Sequence, residues 1–211
     1  MSSIKPKTAL ISLSDKSNLE VLVDFLVSQD VKILSTGGTF KAIQKITKKV
    51  IEVSEFTGFD EMMGGRVKTL HPKIHAGILA RRDSDMEVLQ ERGYEPIDLV
   101  VVNLYPFQET IASECSFEEA IENIDIGGPT MIRAAAKNFK DVTVVSDPND
   151  YNQLIEEWSH EDGITIETRK IFAQKVFETM AEYNNAIAKY MMNDDSSKMP
   201  DYKFESSIKL R

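Results

Sequence analysis

The sequence predicts an α/β fold: three layers, with a mainly parallel sheet of about five strands flanked by helices. Two observations carry that reading. Between Thr8 and Val53 short apolar runs alternate with segments of helical spacing, the βαβ rhythm that implies right-handed crossovers and parallel pairing. Farther on, Ile97–Val102 is apolar and β-branched, as a central strand covered on both faces must be.

Taken in order, Thr8–Ser12 is a buried strand. Leu19, Leu22, Val23 and Leu26 then fall at helical spacing, with Ser14 or Asp15 as the N-cap. Val31–Ser35 is a second strand; it runs into Thr36-Gly37-Gly38-Thr39 and a helix through Ile46, and Val50–Val53 is a third strand. Gly64–Ile78 reads as a long irregular loop opened by paired glycines and interrupted by Pro72. A helix over Met86–Arg92 stops at Gly93, and the Ile97–Val102 strand follows. Ser116-Phe117-Glu118-Glu119 has capping-box form and starts a helix to Asn123. Pro129 suits the first turn of a helix over Met131–Asn138, and Val142–Val145 is the fifth strand. Asp147–Asp150 turns into another helix. Glu167–Met192 spaces Phe172, Val176, Met180, Tyr183, Ile187 and Met191 along one helical face, suited equally to a subunit contact or to packing on the sheet. Residues 193–211 are polar and read as a linker.

A formal charge of −9 argues against nucleic acid as the main partner, yet leaves room for a small anion in a local basic pocket. The single cysteine, Cys115, rules out an intrachain disulfide and fits a reducing compartment. No apolar run is long enough for a membrane span and Met1–Lys7 lacks a signal core, so a soluble, cytoplasmic protein is expected.

In an open parallel sheet, ligands bind beyond the carboxyl ends of the strands. The segments after the strands hold Ser14 and Lys16, then Thr36, Gly37, Gly38 and Thr39, then Arg66, Lys68 and Thr69, then Asn103 and Tyr105. Asp125, Gly127, Gly128 and Lys137 precede the fifth strand. Thr36–Thr39 opening a helix makes a phosphate cradle of backbone N–H groups and hydroxyls, although glycines also build ordinary strand-to-helix turns. By the same token Tyr105 suits a packed aromatic, Asp125 a turn and Lys137 an exposed helix cation. The chain has no G-x-G-x-x-G and no G-x-x-x-x-G-K-[ST], so neither a dinucleotide nor a P-loop triphosphate is expected. Pro72 between His71 and His75 argues against a helical metal pair, and no metal site is expected.

Ser14-Asp15-Lys16, Ser35–Thr39, Gly64–Pro72, Asn103-Leu104-Tyr105-Pro106, Asp125-Ile126-Gly127-Gly128 and Arg133–Asn138 resemble, in order, the IMP cyclohydrolase domain. That domain is the N-terminal half of the bifunctional AICAR transformylase/IMP cyclohydrolase of purine biosynthesis. The resemblance implies a methylglyoxal-synthase-like fold over residues 1–192, with 193–211 leading toward an absent transformylase domain. It implies cofactor-independent closure of formyl-AICAR (FAICAR) to IMP and water by a homodimer. Lys68, Tyr105, Asp125 and Lys137 are the implied catalytic residues. Ser14, Lys16, Thr36, Gly37, Gly38, Thr39, Arg66 and Thr69 would anchor the nucleotide, and Asn103, Leu104, Ile126, Gly127 and Gly128 would hold the base. The same fold also serves as the effector-binding domain of carbamoyl-phosphate synthetase, which needs the cradle but no such catalytic set. It serves too as methylglyoxal synthase, which runs carboxylate acid–base chemistry on a triose phosphate.

Overall fold

The computed structural model describes residues 3–113, 115–160 and 163–193. Five strands form one all-parallel sheet in the order β3-β2-β1-β4-β5: β1 Thr8–Ser12, β2 Lys32–Ser35, β3 Val50–Glu52, β4 Leu99–Val102 and β5 Thr143–Val145. Leu10 stands opposite Leu34 on one side and Val100 on the other, which makes β1 the central strand. All four residues of β4 are buried, as its apolar, β-branched composition requires. Strand β3, at the edge, is only half-buried throughout.

Helices cover both faces. On one side α1 (Leu19–Ser28) meets α2 (Gly37–Ile46) and α9 (Tyr151–His160), with Phe25 and Trp158 edge to face at 5.3 Å. On the other, α8 (Gly127–Lys137) packs between α4 (Pro72–Leu79) and α10 (Ile166–Asn193), over β4 and β5. Shorter helices complete the chain: α3 (Val53–Thr57), α5 (Met86–Glu91), α6 (Phe107–Ala112) and α7 (Phe117–Glu122). Residues 193–211, expected to be a linker, lie outside the described residues from 194 onward.

Several local expectations hold and others are corrected. Ser116 and Glu119 form the capping box, and Gly93 ends the α5 turn at φ +64°. Neither Ser14 nor Asp15 caps α1. Asn18 occupies the N-cap position, in a left-handed conformation and without a side-chain capping bond, while Asp15 accepts from the Ser17 N–H and hydroxyl in a tight local turn. The loop expected over Gly64–Ile78 ends at His71. Pro72 occupies the first position of α4, where its missing N–H costs nothing, and His71 Nδ1 caps the helix by accepting from the Lys73 N–H at 3.1 Å. Helix α8 begins at Gly127, four residues earlier than its apolar spacing suggested.

The long apolar face of α10 is consumed within the subunit. Phe172, Val176, Met180 and Tyr183 are buried in the core, against α8 and β5, while Met191 is 49% exposed. Near its start sits Arg169, fully buried at 0% exposure. Its guanidinium donates to the carbonyls of Phe139 (2.9 Å), Lys140 (2.8 Å) and Ile164, tying the α8–β5 connection to the first turn of α10. Arg169→Met is expected to destabilise the fold by about 1–3 kcal/mol, since the buried Ile164 carbonyl loses its donor while the carbonyls of Phe139 and Lys140, only partly buried, can turn to water. Urea unfolding measures this, and a cost near zero would mean water replaces the guanidinium.

Candidate active site

With the strand order β3-β2-β1-β4-β5, the chain turns one way after β1 and crosses to the other side to begin β4. The topological switch point therefore lies between β1 and β4, the place where a parallel sheet leaves a crevice. A cavity of about 500 Å³ opens there, lined by segments following β1, β2 and β4, by the 64–70 loop and by the start of α8.

One corner is built for an anion. Thr36 is the extended N-cap of α2 and its side chain makes no capping bond, so the helix presents uncapped N–H groups and its positive dipole end to the cavity. Gly37 adopts φ +55°, and a Cβ placed there would stand 3.2 Å from the Lys68 ammonium. Lys68 thus crosses from the 64–70 loop to the N-terminus of α2. Its ammonium pairs with Glu61 at 2.5 Å, which holds the Glu61 carboxyl below its ordinary value. Two positive features beside one another are best satisfied by a shared anion. Arg66, on the same loop, reaches Glu122 at 3.5 Å across the cavity mouth; both side chains are largely exposed, so the pair contributes little.

The opposite corner is built around Asp125. Its Oδ1 accepts from the Gly128 N–H at 2.9 Å, the local substitute for an N-cap on α8. Burial nevertheless pushes the Asp125 carboxyl above its ordinary value, outweighing the N–H groups of Gly128, Tyr105 and Gly127 that favour the anion. At Gly127 and Gly128 any side chain would crowd the corner and push its neighbours aside. A Cβ on Gly127 would meet Thr69 Oγ1 at 2.8 Å, and one on Gly128 would meet Asp125 Oδ2 at 2.4 Å. Tyr105 lies on the rim at 56% exposure, and Ile126 is equally exposed.

Most of the residues singled out from sequence converge on this cavity: Ser14, Lys16, Thr36–Thr39, Arg66, Lys68, Thr69, Asn103, Tyr105, Asp125 and Ile126–Gly128. Several turn out to be occupied with the protein itself. Thr39 Oγ1 accepts from the Leu13 N–H (2.8 Å) and donates to the Leu13 carbonyl (3.0 Å), clamping the first turn to the second. Asn103, expected to hold a base, uses its amide on the β1–α1 turn. Its Oδ1 accepts from Ser14 and Asp15 N–H groups at 2.7 and 3.1 Å, and its Nδ2 donates to the Asp15 carbonyl at 2.7 Å. Lys16 folds back on the carbonyls of Leu13 and Ser14, both at 3.1 Å. Leu104 does not line the cavity but packs on the core beside Gly128.

Lys137 is the clear departure. It sits exposed in the last turn of α8, about 15 Å along the helix axis from Gly127, and takes no part in the cavity lining. Glu61, the partner of Lys68, and Glu122, the partner of Arg66, were not anticipated, because an ion pair between separate loops leaves no trace in local spacing. His71 is the helix cap described above, and burial lowers the half-buried His75 imidazole below its ordinary value. Among the described residues no group of His, Cys, Asp and Glu could hold a metal ion, and no helix is long and apolar enough to cross a membrane. Cys115 lies half-buried beside the core.

The chain is similar to known proteins along most of its length. A model of the MGS-like domain matches residues 18–130, and a model of the AICARFT/IMPCHase bienzyme matches residues 135–211. The bifunctional purine biosynthesis protein PurH of Clostridium botulinum (strain Langeland) is 50% identical over 207 residues, 97% of this chain and 42% of that protein. Its counterpart in Fusobacterium nucleatum is 48% identical, over 97% of this chain and 41% of that protein. The chain therefore spans about two fifths of the length of these relatives. The crystal structure of ForH superposes with a TM-score of 0.76 at 33% identity, over 89% of this chain and all of that one. With the MGS-like model matching more than half of its residues and a solved structure superposing over 89% of its length, the chain belongs to the MGS-like domain family.

Proposed function

We propose that the chain is an IMP cyclohydrolase, closing FAICAR to IMP and water. The observation that carries the reading is one cavity with two unlike corners, the uncapped α2 N-terminus and the half-buried Asp125 carboxyl near Tyr105, bridged by the 64–70 loop that carries Lys68. A nucleotide offers the matching asymmetry, phosphate at one end and reacting carboxamide and formyl groups at the other. The similarity to bifunctional purine biosynthesis proteins supports this substrate class.

In the reaction the carboxamide nitrogen bonds to the formyl carbon of the same molecule. The formyl oxygen takes a proton to become a hydroxyl and the carboxamide nitrogen gives one up; the hydroxyl then leaves as water with a second proton, while the formamide nitrogen gives up its own and forms a double bond to the former formyl carbon. An amide nitrogen is a weak nucleophile, so most of the acceleration comes from holding it in attacking geometry. The phosphate binds the N–H groups of Gly37 and Gly38 with Thr36, Ser14, Lys16, Arg66 and Thr69 around it. Lys68 and Tyr105 stabilise the negative charge on the formyl oxygen and supply its proton. Asp125 orients the carboxamide and accepts its proton, a task suited to a carboxyl whose affinity for protons is raised by burial. Lys137 has no role in this scheme. No cofactor is called on, and the working unit is a cytoplasmic homodimer, residues 1–192 forming the catalytic part.

Adding FAICAR to the purified chain without folate and following the IMP absorbance band tests the proposal. Rapid ring closure is expected. IMP binding without any acceleration would reduce the chain to a nucleotide-binding domain and reject the proposal. Sedimentation tests the dimer separately: a purely monomeric species at working concentration rejects it.

A further inference from the structure

We propose that Tyr183 is a positioning residue of this site, its phenol oxygen accepting the Asp125 backbone N–H at 2.8 Å and thereby fixing where the Asp125 carboxyl stands. The inference rests on the cyclohydrolase reading and extends it to helix α10, which contributes nothing to the cavity lining.

Asp125 lies in a connection between α7 and α8, outside both helices, with no ladder bonds of its own. The N–H groups of Gly128, Tyr105 and Gly127 hold the carboxyl, and the Tyr183 phenol holds the backbone N–H. Tyr183 is suited to the task because it is itself immobilised. It is 9% exposed, and its ring meets Phe107 edge to face at 6.2 Å. Phe107 in turn meets Tyr190 at 5.7 Å, and Tyr190 stacks on Phe117 at 6.0 Å. These rings rivet α10 to the start of α6, just after Tyr105-Pro106, and to the start of α7, which leads to Asp125. Both groups assigned to the reacting end are thus braced from one helix. Edge-to-face and stacked contacts of this kind hold ring orientation as well as burying area.

The placement also separates the two family matches. The MGS-like match ends at residue 130, whereas Tyr183 lies in the 135–211 segment matched by the bienzyme model. A residue outside the shared domain positions the carboxylate on which the proposed chemistry depends.

Tyr183→Phe removes one oxygen and keeps the ring. In the full chain we expect kcat for FAICAR closure to fall about tenfold, the loss of one geometry-setting hydrogen bond, while KM changes by less than about threefold. Combined with Asp125→Asn, the loss is expected to be much smaller than the product of the single losses, because Tyr183 acts through Asp125. A readout independent of activity is amide hydrogen exchange at Asp125, protected in the parent and about tenfold faster in Tyr183→Phe. Parental kcat in a folded Tyr183→Phe variant would overturn the proposal, as would multiplicative losses in the double variant. So would an unprotected Asp125 amide in the parent, a result that needs no variant to fold. A parent that cannot close FAICAR rejects the cyclohydrolase reading instead, and the exchange measurement then still decides whether Tyr183 holds Asp125.

Discussion

Replacing Lys68 by alanine is expected to lower kcat/KM for FAICAR closure by about 10²–10³-fold, the usual cost of losing one preorganised charge-stabilising donor. Lys68 is the group that joins the two corners of the cavity. Its ammonium stands beside Gly37 at the α2 N-terminus, and its backbone precedes Thr69, the residue that touches the start of α8 at Gly127. A lysine beside a positive helix end is unfavourable unless an anion shares the space, and Glu61 supplies one. Substrate must therefore displace or share that carboxylate, so Lys68 affects binding as well as turnover. Lys68→Arg is not a conservative control, since a planar fork cannot occupy the space a compact ammonium takes above Gly37. Steady-state kinetics with parent and variant decide the matter. Turnover near the parental value in Lys68→Ala would remove Lys68 from the chemistry.

Asp125→Asn is expected to separate activity from stability. The activity loss should again be about 10²–10³-fold, the range for removing a positioned acid–base group. Stability at pH 7 should rise, by up to about 1 kcal/mol. The sign follows from burial: the folded-state pKa of Asp125 lies above its ordinary 3.8, so the folded chain binds its proton more tightly than the unfolded chain. Between those two values stability falls as pH rises, and at neutral pH the ionised, partly buried carboxylate is a net cost. Asparagine keeps an oxygen to accept the Gly128 N–H and removes the charge. Thermal melts across pH 4–7 should show the variant's advantage at pH 7 shrinking toward pH 4. The acid limb of the parent's kcat/KM profile should likewise be displaced upward from the ordinary aspartate value. A variant less stable than the parent at pH 7 would mean the carboxylate is held by more than burial and three N–H groups.

Sequence alone was a good guide wherever the governing interaction is local. The β-branched run of β4, the capping box at Ser116–Glu119 and the apolar face of α10 each depend on neighbours within a turn or a strand, and each appears where its residues imply. The alternation of those elements was enough to imply a parallel sheet, and with it the edge on which Thr36–Thr39, Lys68 and Asp125 gather. Pro72 shows how a local signal misleads: read as an interruption, it is instead the first residue of α4, because a proline costs nothing where the N–H has no partner.

What only the tertiary structure decided is how the converging residues spend their polar atoms. Asn103 and Thr39 satisfy the first turn of the chain, since buried N–H and C=O groups there would otherwise be unpaired. Lys137 shares a helix with Gly127 yet stands exposed at its far end, because a helix carries its residues along an axis as well as around it. Tyr183 reaches Asp125 across 58 residues, a distance at which no spacing rule operates and only the packing of α10 on α6 and α7 brings the two together.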